Sequence, residues 1–185
     1  CDPRLIADNW EGGSAKLDAC MELVTAAVEG GHRILLFSQF TSMLELLAKR
    51  LDEAGVSHFT LQGSTPKPVR AELVRRFNSG EADVFLISLR AGGTGLNLTA
   101  ADIVIHYDPW WNVAAQNQAT DRAYRIGQRN PVQVYRLIAQ DTIEEKIVEL
   151  QQAKQSLADT VTGGADGAIL SMNPEQLLQL LGEEA

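Results

Sequence analysis

Cysteine is scarce in this chain of 185 residues, and long apolar runs are absent. The two cysteines, Cys1 and Cys20, have no partner spacing for a metal site or a disulfide framework, so we expect a reducing cytosolic or nuclear setting. No apolar stretch approaches the roughly 18 residues of a membrane span, and no signal-peptide pattern is present. Because the chain begins with Cys1 rather than methionine, we expect it to be a piece of a longer protein.

The sequence also lacks the motifs by which a chain holds nucleotide phosphates on its own. No G-x-x-x-x-G-K-[ST] loop occurs, and the G-x-G-x-x-G frame of Gly93 and Gly95 has Leu98 where the third glycine is needed. Asp52 and Glu53 imitate a metal-binding carboxylate pair, but they end an amphipathic helix rather than a buried strand. The three histidines share no ligand spacing, so we expect no metal site.

The acidic charge is concentrated near the C-terminus. The net charge is −8, and residues 141–185 hold nine acidic and two basic residues, whereas residues 1–140 hold fifteen and fourteen. Association with a charged ligand depends on the local field rather than on the total charge. The low pI therefore leaves room for a nucleic-acid surface on the body of the chain.

The apolar pattern predicts strands that alternate with helices. Short, continuous apolar runs are typical of strands buried on both faces of a sheet, and five segments are expected to be strands: 33–37, 58–61, 83–88, 103–107 and 132–138. Helical spacing or capping signals predict helices in 14–31, 41–55, 65–78, 112–125, 141–161 and 173–182. This order predicts an α/β fold, a three-layer parallel sheet with helices on both faces.

Capping residues predict where three of the helices begin. Ser14 is expected to cap the first helix, and Thr65 to cap the third with Pro66 in its first helical position. Asp141 and Glu144 form a pair like a capping box before the long helix.

Polar and glycine-rich loops follow four of the predicted strands. They are 38–40, 62–65, 88–97 and 108–112, and a parallel sheet places its ligands at this carboxyl edge. The third loop, "SLRAGGTGLN", has glycines that let a backbone approach a phosphate or a base closely, although a tight turn would explain them equally. A tryptophan of "DPWWN" is either a core residue or a stacking surface for a nucleic acid strand.

Arginines are concentrated in "QNQATDRAYRIGQRNPVQVYRL", residues 116–137. Gln118, Arg122 and Arg125 stand at i, i+4 and i+7, so they share one face of the predicted helix. A solvated helix face is the simpler interpretation of a single arginine. Two guanidiniums with little opposing charge also suit polyphosphate charge in a phosphoryl-transfer transition state. Since the chain has no phosphate loop, such a nucleotide would be held by another domain.

Five motifs together resemble one family. "RILLFSQF", "LQGST", "LISLRAGGTGLNL", "DPWWN" and "QATDRAYRIGQ" occur in the order and spacing of the second motor lobe of Swi/Snf-type ATPases, which are helicase-like DNA translocases of superfamily two. The resemblance covers about residues 12–155. It implies a RecA-like fold and activity as half of an ATP-dependent double-stranded DNA translocase that is inactive without the first lobe.

The resemblance also implies roles for individual residues. Arg122 and Arg125 match the arginine fingers, and Gly95, Asn97 and Gln118 match nucleotide-facing positions. The positions that match DNA contacts are Gln62, Gly63, Ser64, Ser88, Arg90 and Trp111. ATP and Mg²⁺ are expected to be held mainly by the absent first lobe. Two positions depart from the family pattern, because Val113 replaces a common proline and Tyr124 replaces a common histidine.

The resemblance divides the chain into four parts. Residues 1–13 are a lead-in, 14–140 the lobe, 141–161 a brace helix across the two lobes, and 162–185 a flexible acidic tail with a short helix. The expected partners are double-stranded DNA and the first lobe, with no membrane. The short connections favour a compact, bacterial member in the cytoplasm with the nucleoid, and a eukaryotic member would be nuclear.

Two rival functions remain open on the sequence. An RNA helicase lobe has the same fold, although the "DRAYRIGQ" string argues against it. A non-enzymatic interaction module would keep the fold without hydrolysing ATP, and the intact arginine pair argues against that interpretation.

Overall fold

The computed structural model describes residues 12–89, 91, 96–110 and 131–162, with side chains described as far as residue 153. Its five strands are β1 (Ile34–Ser38), β2 (His58–Leu61), β3 (Val84–Ser88), β4 (Ile103–His106) and β5 (Gln133–Arg136). Its four helices in these ranges are α1 (Ala15–Glu29), α2 (Thr41–Glu53), α3 (Lys67–Asn78) and α4 (Ile143–Thr162). The predicted helices over 112–125 and 173–182 lie outside the described residues.

All five strands lie parallel in one sheet. The strand order is β2-β3-β1-β4-β5, so β1 lies at the centre between β3 and β4. Leu36 of β1 is paired with Leu86 of β3 and with Ile105 of β4. The predicted parallel sheet is confirmed.

Alternate residues of the central strands enter two separate hydrophobic cores. Ile34 and Leu36 pack with residues of α1 and α2, whereas Leu35 and Phe37 pack with Phe77 of α3. Because successive side chains of a strand point to opposite faces, α1 and α2 cover one face and α3 covers the other. The predicted three-layer α/β class is therefore confirmed.

The predicted capping residue is confirmed for the first helix and wrong for the third. Ser14 caps α1 as expected, because its Oγ accepts a hydrogen bond from the Leu17 N–H at 3.4 Å. The predicted Thr65 cap is wrong: α3 begins at Lys67 after Pro66, with no side-chain capping bond. The Thr65 hydroxyl instead accepts a hydrogen bond from the Gln62 N–H at 3.0 Å, so it closes the turn before the helix.

The predicted capping pair before α4 involves a different glutamate. Glu145, not Glu144, accepts a hydrogen bond from the Asp141 N–H, at 2.8 Å. Asp141 has a positive φ of 57°, and Thr142 Oγ1 accepts from the Glu144 N–H at 3.2 Å. The Glu144 carboxylate turns inward, where it accepts from Lys16 and from the Ala139 N–H.

The fifth strand departs from the expectation of strands buried on both faces. All residues of β1, β3 and β4 are buried, but all four residues of β5 are exposed. Val134 is 41% and Tyr135 37% exposed. β5 ends the order of the described strands and pairs only with β4 among them.

The chain forms two compact units, Cys1–Ile147 and Val148–Ala185. Within the parts of the chain that the structure describes, no helix has the length and apolar character to cross a membrane. Cys20 of α1 is a free thiol with no exposed surface in the first core. Burial raises the pKa of the Cys20 thiol to about 12.

Candidate nucleic-acid and nucleotide interface

The carboxyl ends of four neighbouring strands place the predicted loops along one edge of the sheet. Ser38 at the end of β1 is paired with Ser88 at the end of β3, and the Leu89 N–H donates to the Ser38 carbonyl at 2.9 Å. The Tyr107 N–H, after β4, donates to the Phe37 carbonyl at 2.9 Å. The loops that the sequence analysis singled out therefore start from adjacent strand ends.

The loop after β2 presents small residues to solvent. The Gln62 N–H donates to Thr65 Oγ1, and the Thr65 N–H donates to the Gln62 carbonyl at 3.1 Å. This double closure leaves Gly63 and Ser64 exposed at the tip. A Cβ added at Gly63 would meet nothing within 4 Å, so the neighbouring atoms do not require glycine there. The open position does allow a ligand backbone to approach the loop closely.

A groove of about 900 Å³ runs between this loop, the start of α3 and the far end of the glycine-rich segment. Two cations line it, Lys67 and Arg70, and none of the lining residues that the structure describes is acidic. Gly63, Thr65 and Asn97 also line it, so it joins residues predicted for DNA and for nucleotide. Backbone amides, a hydroxyl and paired cations are groups that bind phosphates.

The sequence analysis did not single out the two cations of the groove. Lys67 and Arg70 occur in "TPKPVRAELVRRFN", an amphipathic helix whose charges match an ordinary solvated face. Only the fold places their end of α3 against Asn97, which is 27 residues later than Arg70. No local signal distinguishes them from the other basic residues of the same helix.

Ser88 differs from the other predicted DNA contacts in the described residues. Its side chain is 2% exposed at the end of β3, beside buried Ser38. A buried hydroxyl is not presented to a DNA backbone. The predicted DNA contact of Ser88 is therefore less well supported by this structure than those of Gln62, Gly63 and Ser64.

Asp108 connects the loop after β1 to the loop after β4. It is 1% exposed, and its Oδ2 accepts from Ser38 Oγ at 2.6 Å and from the Gln39 N–H at 2.9 Å. Burial raises the pKa of Asp108, while the Ser38 and Gln39 hydrogen bonds oppose that rise. The "SQF" and "DPWWN" loops are thus held together at their first residues.

A buried ion pair lies beside the start of the "DPWWN" loop. Lys16 of α1 donates to the Glu144 carboxylate, and both side chains are less than 8% exposed. The Lys16 ammonium also lies 5.0 Å from the ring centroid of Tyr107. Burial alone would raise the pKa of Glu144, but the hydrogen bonds from Lys16 and the Ala139 N–H hold it below its usual range. The first turn of α4 is therefore fixed to α1.

His106 ends β4 as a buried imidazole. It is 1% exposed, and its ring stacks on Phe37 with the centroids 5.5 Å apart. Burial, together with the positive charge of Arg136, lowers the pKa of His106 to about 4. The ring is neutral at pH 7, so it contributes to the core beneath the loops rather than to their charge.

Six of the eleven predicted site residues lie outside the described residues: Arg90, Gly95, Trp111, Gln118, Arg122 and Arg125. Asn97 is described and exposed at the groove. A second depression, of about 570 Å³, is lined by α1 and α2 with Asp18, Glu22 and Glu29 opposing Arg50, a charge that does not suit phosphates. No group of three or more possible metal-binding side chains occurs in the described ranges.

Comparison with known proteins agrees with this arrangement. Residues 15–127 match the family described as the helicase conserved C-terminal domain. The chain is 37% identical to the crystal structure of the C-terminal part of the Fun30 ATPase domain, with a TM-score of 0.71 over 74% of this chain and 45% of that one.

Relatives of known sequence are similar over most of this chain. A putative ATP-dependent helicase/translocase, YwqA, of Bacillus subtilis is 43% identical over 91% of the chain, and the human chromatin-remodeling ATPase INO80 is 41% identical over 91%. The chain spans only 18% and 11% of their lengths. The chain therefore belongs to the helicase conserved C-terminal domain family and, within it, to the Swi/Snf type of superfamily-two helicase-like ATPases, as the second RecA-like motor lobe.

Proposed function

We propose that this lobe works in an ATP-dependent double-stranded DNA translocase, where it supplies arginine fingers and contacts to the DNA backbone. The observation that carries the proposal is the groove, which brings the "QGST" loop, two cations and Asn97 to one edge of the sheet. Duplex DNA presents regularly spaced phosphates, and a groove lined by two cations and a hydroxyl fits a phosphate backbone without reading the bases.

The chemistry is divided between two lobes in this proposal. The first lobe holds ATP and Mg²⁺, because this chain has no phosphate loop. Arg122 and Arg125 approach the transferring phosphoryl group from the second lobe and stabilise its charge, and Gly95, Asn97 and Gln118 complete the nucleotide-facing side. Closure of the two lobes around ATP then brings the fingers into place.

Translocation requires that DNA contacts change with the nucleotide state. Gly63 and Thr65 line the groove from the loop after β2, and Asn97 lines it from the glycine-rich segment, so one groove adjoins residues predicted for both ligands. Arg90 and Trp111 would extend the DNA surface from the two neighbouring loops. Because the same groove contains residues for both ligands, a movement of its lining on nucleotide binding can alter the contacts to DNA.

The decisive experiment measures ATP hydrolysis by the full-length protein with duplex DNA, with duplex RNA and without nucleic acid. The proposal expects stimulation by duplex DNA above both other conditions, and no turnover by the isolated 185-residue chain. Preferential stimulation by RNA would favour the RNA helicase interpretation. The absence of any turnover by the full-length protein would favour an interaction module, and turnover by the isolated chain would overturn the division between lobes.

A further inference from the structure

The two sides of the glycine-rich segment are fastened to a single helix. Arg70, in the first turn of α3, donates through Nη1 to the Ala91 carbonyl at 2.9 Å. Asn78, the last residue of α3, donates through Nδ2 to the Asn97 carbonyl at 2.8 Å, and its Oδ1 accepts from the Ala100 N–H at 3.3 Å. One helix therefore holds the backbone on both sides of residues 92–95.

The same face of α3 also supplies the apolar contacts of the segment. Arg70, Val74, Phe77 and Asn78 occupy i, i+4, i+7 and i+8, so they lie along one side of the helix. Phe77 and Val74 share the second core with the segment's residues Ala91, Leu96 and Leu98. The polar anchors are thus about 12 Å apart along the helix axis, with apolar packing between them.

We propose that Arg70 and Asn78 are positioning residues, through which α3 sets the glycine-rich segment in the geometry that DNA-stimulated ATP hydrolysis requires. The inference rests on the proposed function, because it gives α3 a role between the two ligands of that function. Neither residue is required to touch the nucleotide for this role. Each acts through a backbone group of the segment.

Glycine makes such anchoring necessary. The sequence has glycine at positions 92, 93 and 95, and glycine loses more conformational freedom on folding than any other residue. A reacting group that is misplaced by about 1 Å can lower a rate about a hundredfold. An anchor at each side restricts the segment without adding side chains inside it, where the proposed function needs close approach of a ligand.

Helix α3 also connects the segment to the predicted DNA loop. It begins directly after "QGST", and Arg70 lines the groove beside Gly63 and Thr65. A rigid helix transmits a displacement along its length, so a shift of the loop on binding DNA reaches Ala91 through Arg70 and Asn97 through Asn78. This path gives DNA a physical means of changing the nucleotide-facing segment.

The test uses the full-length protein with Asn78→Ala, which removes both C-terminal anchors without altering charge, and Arg70→Lys. The lysine keeps the charge, but its shorter side chain has no donor at the position of Nη1, which bonds the Ala91 carbonyl. Both should lower the DNA-stimulated kcat by about tenfold to a hundredfold, with KM for ATP and DNA affinity changed less than about threefold. Arg75→Gln is the matched control: it lies on α3, is exposed and pairs with Glu72, so its kcat should stay at the wild-type value.

Amide hydrogen exchange provides a readout that does not depend on activity. Asn78→Ala should raise exchange at Ala100, whose N–H loses its acceptor, and in peptides that cover the segment, while Arg75→Gln should not. Rescue by Asn78→Asp should be partial, since it keeps an acceptor for Ala100 but loses the donor to Asn97.

The outcomes separate the two proposals. Normal stimulated kcat in both variants would overturn the positioning role, as would a loss that only follows the fraction of unfolded protein measured by circular dichroism. Unchanged exchange at Ala100 and across the segment would overturn the anchoring itself. A wild-type protein without DNA stimulation would overturn the proposed function, and the exchange result would still decide whether α3 holds the segment.

Discussion

His106 shows how a single residue under the loops responds to its surroundings. It is the last residue of β4, and its ring is stacked on Phe37 of the central strand β1. Burial favours the neutral imidazole, and the positive charge of Arg136 on the paired strand adds to that preference. Protonation of this ring therefore works against the fold.

We expect this residue to make the chain sensitive to acid. The pKa of His106 is lowered from 6.5 to about 4, so between these values the unfolded chain binds a proton that the folded chain does not. Stability should fall as the pH drops through this window, by about 3 kcal/mol in total from this residue. His106→Leu should flatten the dependence of the unfolding free energy on pH, measured by denaturant titration between pH 7 and about 4.

The raised pKa of Asp108 acts in the opposite direction, because its folded form takes up a proton more readily than usual. The measurement therefore compares the slope of unfolding free energy against pH in the wild type with that in the variant, rather than their absolute stabilities. An identical slope in His106→Leu would show that the ring does not titrate as its burial implies.

Arg125 is predicted to matter for chemistry and not for folding. As an arginine finger it should be worth roughly 10³–10⁵ in rate, whereas an exposed arginine changes stability by less than about 0.5 kcal/mol. Arg125→Ala in the full-length protein should abolish ATP hydrolysis with little change in melting temperature, and Arg125→Lys should recover little. A variant that melts early yet hydrolyses ATP normally when cooled would show a structural arginine instead.

At the scale of elements, local sequence patterns correctly predicted two helix ends and two buried strands. The helices predicted over 14–31 and 41–55 both end in a glycine, and Gly31 and Gly55 have positive φ values of 79° and 69°. The strands β1 and β3 were predicted from continuous apolar runs, which matches their complete burial. Their parallel arrangement followed from the alternation of strands with helices.

The two capping predictions failed because each side chain has alternative hydrogen-bond partners, and the sequence alone does not show which partner is used. Thr65 had a choice between capping α3 and closing the Gln62 turn, and it closes the turn. Glu144 and Glu145 are adjacent, and only the fold brings Lys16, 128 residues away, to Glu144. The candidate site residues were predicted from motifs and stay a prediction. The anchoring by Arg70 and Asn78 could not be predicted, because both contacts depend on how α3 packs.

The buried pair of Lys16 and Glu144 should be a main support of the start of α4. Glu144→Gln leaves a buried ammonium with a weakened partner, and breaking a buried pair in this way typically costs about 3–5 kcal/mol. Denaturant unfolding of the chain measures the loss. Glu149→Gln, on the exposed side of the same helix, is the control and should cost less than about 0.5 kcal/mol.

The double variant Lys16→Met with Glu144→Leu separates the two explanations of such a loss. It removes both charges together, so it should recover much of the stability if an unpaired buried charge is the cause. A double variant as unstable as Glu144→Gln would instead indicate lost packing around Tyr107.

At the scale of the whole molecule, charge is separated along the chain. Residues 1–140 are nearly neutral, and the described part of the groove lining includes Lys67 and Arg70 but no acidic side chain. Since association with DNA depends on the local electric field, the net charge of −8 does not oppose the proposed binding at the groove.

This separation predicts how salt affects DNA binding by the full-length protein. Lys67→Gln should weaken binding and reduce the slope of log K against log salt by about 0.9, the value for one phosphate contact. Arg90→Gln should do the same if the family resemblance places it correctly. Lys49→Gln is the control, because Lys49 is exposed late in α2 on the opposite face of the sheet from α3. Equal slopes for Lys67→Gln and Lys49→Gln would remove the groove from the DNA surface.

Because Cys20 is buried, the rate at which its thiol is alkylated should report how often the surrounding structure opens. A thiol with a pKa of about 12 presents about one thiolate in 10⁴ at pH 8, and no part of the Cys20 side chain is exposed to a reagent. With Cys1→Ser removing the other thiol, alkylation should wait until the face formed by α1 and α2 separates from the sheet. The labelling rate should then rise with denaturant in step with unfolding and rise further in Glu144→Gln, whereas fast labelling in native buffer would reveal that α1 detaches without the rest of the lobe.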